Sequence, residues 1–157
     1  MTDYPISVKR GEPLRVASIR AVVPNYGSTS ALIKEVFQEL GKAGIPPAGP
    51  SLAIYYDEGY KARDVDIEAA VPIGAVKAAD MGRVKVRELP APEQVVSLMR
   101  PGPYGDFRPA YDAIMQWVQA NGYLIAGPNR EIYHRGPGQA PPAEYLTEIQ
   151  FPVVKAG

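Results

Sequence analysis

Residues 122–133 read Gly122-Tyr123-Leu124-Ile125-Ala126-Gly127-Pro128-Asn129-Arg130-Glu131-Ile132-Tyr133. Their landmarks occur once before in the chain: Gly44-Ile45, Gly49-Pro50 and Ile54-Tyr55 each stand 78 residues upstream of their counterparts. The match extends both ways. Val16-Ala17-Ser18-Ile19 aligns with Val95-Val96-Ser97-Leu98, and Pro24-Asn25-Tyr26-Gly27 resembles Pro103-Tyr104-Gly105. Glu68 and Val71-Pro72-Ile73 align with Glu148 and Phe151-Pro152-Val153 after a two-residue drift. Identities that keep their order with so little drift mark an internal repeat, and a repeat sets the architecture. The chain is read as one domain, residues 1–157, built from a unit at about 12–88 and a second at about 90–157, with Pro90 to Pro92 as the hinge.

Each unit predicts strand, helix, strand, strand. Leu14 to Ala21 and Glu93 to Arg100 are β-rich runs. Thr29 to Lys42 carries Leu32, Ile33, Val36, Phe37 and Leu40 at helical spacing, with Gly44 as a stop signal; Phe107 to Ala120 carries Ala110, Tyr111, Ile114, Trp117 and Val118, with Gly122 after it. Both helices lead through Gly-Pro into Ser51 to Asp57 and Asn129 to Arg135, and the last strands are Val65 to Pro72 and Tyr145 to Val153. Lys77 to Val86 reads as an added strand or a linker. The expected fold class is α+β: a tandem duplication of a β-α-β-β unit about a pseudo-two-fold axis, with antiparallel sheets and one long helix per unit. One helix covers one sheet face, so each sheet keeps a second face, and the junction of the units predicts a ligand groove.

Composition narrows the function. Lys plus Arg number 17 and Asp plus Glu number 17, so formal net charge is zero, and there is no general electrostatic reason to seek nucleic acid or acidic membranes. No cysteine is present, which excludes a disulfide framework, a thiol nucleophile and a cysteine-based zinc site. His134 is the only histidine, which leaves no multi-histidine metal site; no metal and no cofactor is expected. It is read as a solvated residue at a strand end. No apolar run is long enough to span a membrane, and the N-terminus lacks the regions of a signal peptide, so the expected location is cytoplasmic. Ten tyrosines and 17 prolines are the unusual features.

Strand alternation assigns candidate groove residues. Taking Ile132 and Ile54 as helix-facing points Glu131, Tyr133, Ala53 and Tyr55 the other way. Taking Ile149 and Phe151 as helix-facing points Glu148 and Gln150 away, with Glu68 and Ala70 as counterparts. Ala17 and Ile19 as core leave Ser18 and Arg20, and the second unit leaves Ser97 and Met99. The predicted floor is tyrosine, glutamate, serine and methionine: flat rings, carboxylates and polarizable filler. Glu131 faces a small pseudo-partner, Ala53, so the chemistry is less symmetric than the fold. A carboxylate among rings favours a cationic or hydrogen-bond-donating guest. If Arg20 reaches Glu131 or Glu68 instead, that charge is already satisfied. The Gly136 to Gly138 and Pro141-Pro142 segment reads as an exposed loop, or a lid over the groove.

At these residues the sequence resembles the GyrI-like family, also called the AraC-type bacterial effector-binding domain. The resemblance rests on Arg100-Pro101-Gly102-Pro103-Tyr104-Gly105, Ala110-Tyr111 through Trp117, Gly127 to Tyr133 and Tyr145 to Val153, with Ala48-Gly49-Pro50, Tyr55-Tyr56 and Asp64 to Glu68 in the first unit. It covers about Leu14 to Val153. It implies a stand-alone small-molecule binding module, similar to sensing domains of multidrug-responsive transcription regulators, that takes a hydrophobic, planar or cationic compound. Glu131 occupies the motif position of the pocket-centre glutamate, Glu148 that of the closing Thr-Glu-Ile segment, and Tyr26, Tyr104 and Phe107 match places that supply pocket aromatics. The resemblance also implies alternatives: a hydrolase of cyclopropane-bearing toxins using Glu131 with Tyr133, Tyr55 or Tyr104, or a gyrase-modulating protein. Without a helix-turn-helix segment, direct DNA binding is not expected; a homodimer or a protein partner stays open.

Overall fold

The computed structural model describes residues 4–157. Eleven regular elements run in the order β1 (Ile6–Lys9), β2 (Leu14–Val23), α1 (Thr29–Ala43), β3 (Leu52–Tyr55), β4 (Val65–Pro72), β5 (Lys85–Leu89), β6 (Val95–Pro101), α2 (Arg108–Ala120), β7 (Tyr123–Ile125), β8 (Asn129–Arg135) and β9 (Leu146–Lys155). The fold is α+β, with antiparallel strands and two helices. It divides into two compact units, Glu12–Ala91 and Pro92–Gly157, the second joined by the N-terminal segment up to Gly11.

In the first unit the strands lie in the order β3-β4-β2-β5. Helix α1 buries Leu32, Val36 and Leu40 at the spacing that placed it and packs on β2 and β4. It ends at Gly44, whose φ of 70° is the left-handed conformation that glycine adopts without a Cβ penalty.

The second unit repeats this order as β8-β9-β6-β1, with β7 added alongside the end of β9. Its core joins Ala110, Ile114 and Val118 of α2 to Val96 and Leu98 of β6 and Ile149 and Val153 of β9, with Phe107, Tyr111, Trp117 and Phe151 packed around them. The Gly-Pro turns also match in detail. Ala48 N–H donates to Pro72 O at 2.8 Å, and Ala126 N–H donates to Pro152 O at 2.8 Å.

Three strands lie outside the four-element pattern: β7, beside the end of β9, and one edge strand in each unit. The edge strand of the first unit, β5, lies at the end of the segment read as strand or linker and runs on to Leu89. The edge strand of the second unit is β1, from the other end of the chain: Ile6 to Lys9 pair with Leu98 to Val95. Each repeated unit is therefore completed by a strand that the four-element pattern does not contain. Four residues with alternating partial exposure carry too little hydrophobic periodicity to announce a strand.

Candidate functional site

Register fixes which side chains share a face, because residues directly opposite in an antiparallel pair point the same way. Glu131 stands opposite Ile149, and Tyr133 opposite Thr147. Ile149 belongs to the core under α2, so Glu131 and Tyr133 lie on the helix-covered face. Ile132 stands opposite Glu148 on the other face. This corrects the phase assigned from sequence. Ile132 was the anchor of that assignment, yet it is Glu131 that turns toward α2. The reason is chemical: the Tyr111 hydroxyl on α2 donates to Glu131 Oε2, and the Tyr133 hydroxyl donates to Oε1 at 2.9 Å. A carboxylate with such donors is tolerated on a buried face, and Glu131 is 8% exposed.

Around Glu131 the rings gather. Tyr104 stands edge-on to Tyr133 with centroids 6.0 Å apart and lies 5.0 Å from Tyr145, while Tyr111 meets Phe151 edge-to-face at 5.8 Å. Asn129 Nδ2 donates to the Tyr111 hydroxyl oxygen at 2.9 Å. Tyr104 is 44% exposed, so the cluster reaches solvent. Partial burial, with the charges of Tyr145 and Glu131, raises its phenol pKa. Gly136 N–H donates to Gln139 Oε1 within the Gly136–Gly138 turn, and a Cβ at Gly136 would sit 2.7 Å from the Tyr104 hydroxyl. Phe107 packs against the core, with the Arg100 guanidinium 4.0 Å over its ring. Thr147, opposite Tyr133, is fully buried, and its hydroxyl finds no partner among the described residues.

The opposite face of the second unit carries Glu148, with Ser97, Met99 and Gln150 in register around it. Glu148 is 3% exposed, far from a solvated edge residue. Ser97 Oγ donates to it at 2.6 Å, Gln150 Nε2 at 2.8 Å and Lys9 Nζ at 2.6 Å; His134 Nε2 lies 2.8 Å from its other oxygen. Burial works against its charged form, but the bonds from His134, Gln150, Lys9 and Ser97 outweigh burial and hold its pKa well below the ordinary value. His134 is thus a carboxylate partner, not the solvated strand-end residue expected.

The first unit repeats this arrangement. Ser18 Oγ donates to buried Glu68 at 2.6 Å, the Tyr56 hydroxyl donates at 2.5 Å, and Arg87 of edge strand β5 lies 3.2 Å away. Burial first, then the bond to Glu68, pushes the Tyr56 phenol up to about 12. Arg20 pairs with Asp66 at 2.9 Å and lies over the Tyr56 ring; the cation beside Glu68 is Arg87. Tyr55 stands opposite Ile67, on the other face from Glu68. Its ring meets Tyr26 at 5.6 Å, and Tyr26 also meets Tyr60.

Within the second unit, the floor expected from sequence is therefore split between two faces. Glu131, Tyr133 and Tyr104 come together on one face of the second unit. Glu148, Gln150 and Met99 lie on its other face, and Tyr26, Tyr55, Glu68 and Arg20 belong to the first unit. Tyr111, Asn129, Tyr145 and Thr147 were missed. Tyr111 was counted in the apolar stripe of its helix. The usable signal was its hydroxyl, a polar tip in a buried row that must find a partner. Among the described residues, no group of three His, Asp or Glu side chains is placed to hold a metal, and no helix is long and apolar enough to cross a membrane.

Residues 4–154 match the family model of the GyrI-like small molecule binding domain. The chain belongs to this family. Among solved structures this GyrI-like domain is similar to the EcmrR C-terminal domain, at 33% identity and a TM-score of 0.90, covering 99% of this chain and all of that one. It is also similar to EcmrR in a cryo-EM structure of the EcmrR-DNA complex in EcmrR-RPo, at 34% identity and a TM-score of 0.88; there it covers 98% of this chain and 58% of that one. The structure of SAV2435 bound to tetraphenylphosphonium shares the fold, with 15% identity, a TM-score of 0.62 and coverage of 98% and 94%. A search of curated proteins finds no match to the sequence.

Proposed function

We propose that this GyrI-like domain binds a hydrophobic, planar or cationic organic molecule at the tyrosine cluster around Glu131, and that this binding is a sensing step. The observation that carries the reading is a buried carboxylate held by the Tyr111 and Tyr133 hydroxyls, beside the partly exposed ring of Tyr104. A negative charge held away from bulk water acts strongly on a nearby cation. Aromatic faces add attraction of about 0.5–2 kcal/mol per cation–π contact. The tetraphenylphosphonium complex of SAV2435 supports a lipophilic cation as guest, and the kinship with EcmrR, a protein seen in complex with DNA, supports a sensing role.

The test is calorimetry of the native domain with tetraphenylphosphonium, beside Glu131→Gln and Tyr104→Ala. The reading expects saturable binding by the native domain. Affinity should fall about tenfold or more in Glu131→Gln, and less in Tyr104→Ala. No binding by the native domain, or equal binding by Glu131→Gln, would overturn it.

A further inference from the structure

We infer that Gly136 is a positioning residue for the guest site: the space left by its missing side chain seats the Tyr104 hydroxyl and holds the Tyr104 ring beside Tyr133, where a guest meets it. The inference rests on the function proposed above and deepens it by naming what places the exposed ring of the cluster.

Gly136 directly follows β8 and is buried. Tyr104 reaches it from the loop between β6 and α2. A Cβ on Gly136 would lie 2.7 Å from the Tyr104 hydroxyl oxygen, well inside the 3.4 Å at which ordinary contact begins, and 3.9 Å from the ring carbon that bears it. Among the described residues, and leaving out its chain neighbours, no other atom comes within 4 Å of that point. Glycine is often kept for a positive φ. Gly138 has one, at 84°, but Gly136 does not. The backbone at 136 therefore admits a side chain, and what the glycine supplies is room for Tyr104.

The turn is held more firmly than the ring. Gly136 N–H donates to Gln139 Oε1 at 3.0 Å, and Gln139 N–H donates back to Gly136 O at 3.1 Å. Arg135 Nε donates to Glu144 O at 2.8 Å. Tyr145, the next ring to Tyr104, has its carbonyl tied to Gly102 N–H at 2.8 Å. Tyr104 itself is 44% exposed. A side chain at position 136 thus moves the Tyr104 ring and leaves the turn in place. Tyr133 and Tyr145 stand 6.0 Å and 5.0 Å from that ring, which leaves solvent as the open direction. A ring turned outward leaves Tyr133, whose hydroxyl serves Glu131, and offers a bound cation a poorer face.

The experiment is calorimetry with tetraphenylphosphonium on four proteins: the native domain, Gly136→Ala, Tyr104→Phe and the double variant. Gly136→Ala is expected to bind about threefold or more weakly than the native domain. In the Tyr104→Phe background the same alanine should make no further difference, because without the hydroxyl the nearest ring atom is already at an ordinary 3.9 Å. A structural role for Gly136 would lower affinity equally in both backgrounds. Such an equal loss, or native affinity in Gly136→Ala, overturns the inference while leaving cation binding intact. Thermal denaturation reads the same contact if Gly136→Ala is poorly folded: Tyr104→Phe should restore its stability, and a loss that persists in the double variant overturns the inference. Failure of the native domain to bind tetraphenylphosphonium overturns the function proposed above, and the inference with it.

Discussion

The imidazole of His134 lies 2.8 Å from a carboxylate oxygen of Glu148, on a strand whose pairing with its neighbour slips between Tyr133 and Arg135. His134 is the residue inside that irregularity. Glu148 also holds Lys9, the last residue of β1. One buried carboxylate thus ties four strands of the second unit, β1 through Lys9, β6 through Ser97, β8 through His134 and its own β9, and it has a counterpart in Glu68 with Ser18, Tyr56 and Arg87.

The low pKa of Glu148 makes this tie pH-dependent. A carboxyl group whose folded-state pKa is depressed stabilises the fold above its ordinary value of 4.5, and that stability is lost as pH falls below it. Glu148→Gln removes the charge at every pH. At pH 7 the variant is expected to be less stable than the native domain by about 2 kcal/mol, the scale of hydrogen bonds to a charged group. The gap should close as pH drops below 4.5. Urea midpoints measured from pH 7 to pH 3 check this; parallel curves would contradict it.

Much of this fold was legible in the sequence, and the reason is local. Helices α1 and α2 announce themselves by apolar spacing and following glycines. Strands β2, β4, β6 and β9 are long β-rich runs, and the repeated Gly-Pro turns fix the frame. The site was less legible because its geometry is set by distant partners. Alternation along β8 gives a period of two but not a phase. That depends on register with β9 and on a hydroxyl twenty residues away on α2. Hydrophobicity alone favours Ile132 as the helix-facing residue, yet the Tyr111–Glu131 bond sets the opposite phase. Strand β1 was invisible because its partner β6 begins 85 or more residues downstream.

Thr147 yields a prediction about stability. Its buried hydroxyl has no partner among the described residues, so it carries an uncompensated loss of hydration. Thr147→Val keeps the shape and removes the polar atom. The variant is expected to be as stable as the native domain or more so, by up to about 1 kcal/mol. The hydroxyl is fully buried, so tetraphenylphosphonium affinity is expected to stay as in the native domain. Thermal denaturation and calorimetry measure the two effects separately. A clear loss of stability would mean that the hydroxyl has a partner after all.

Gly11 tests how firmly the N-terminal strand is joined to its unit. Its N–H donates to Pro92 O at 3.0 Å, and a Cβ there would lie 2.6 Å from the same oxygen and 2.7 Å from the proline ring. Both obstacles belong to backbone or a rigid ring, so neither can turn aside. Gly11→Ala must push the segment after β1 away from Pro92, at a cost of about 1–3 kcal/mol typical of overpacking. The displacement falls two residues from Lys9, so the Lys9–Glu148 ion pair and the β1–β6 ladder should loosen together. Amide hydrogen exchange of Ile6 to Lys9 is expected to quicken in Gly11→Ala while that of α1, in the other unit, stays as in the native domain. Equal quickening in α1 would mean that the substitution destabilises the whole domain and not this strand.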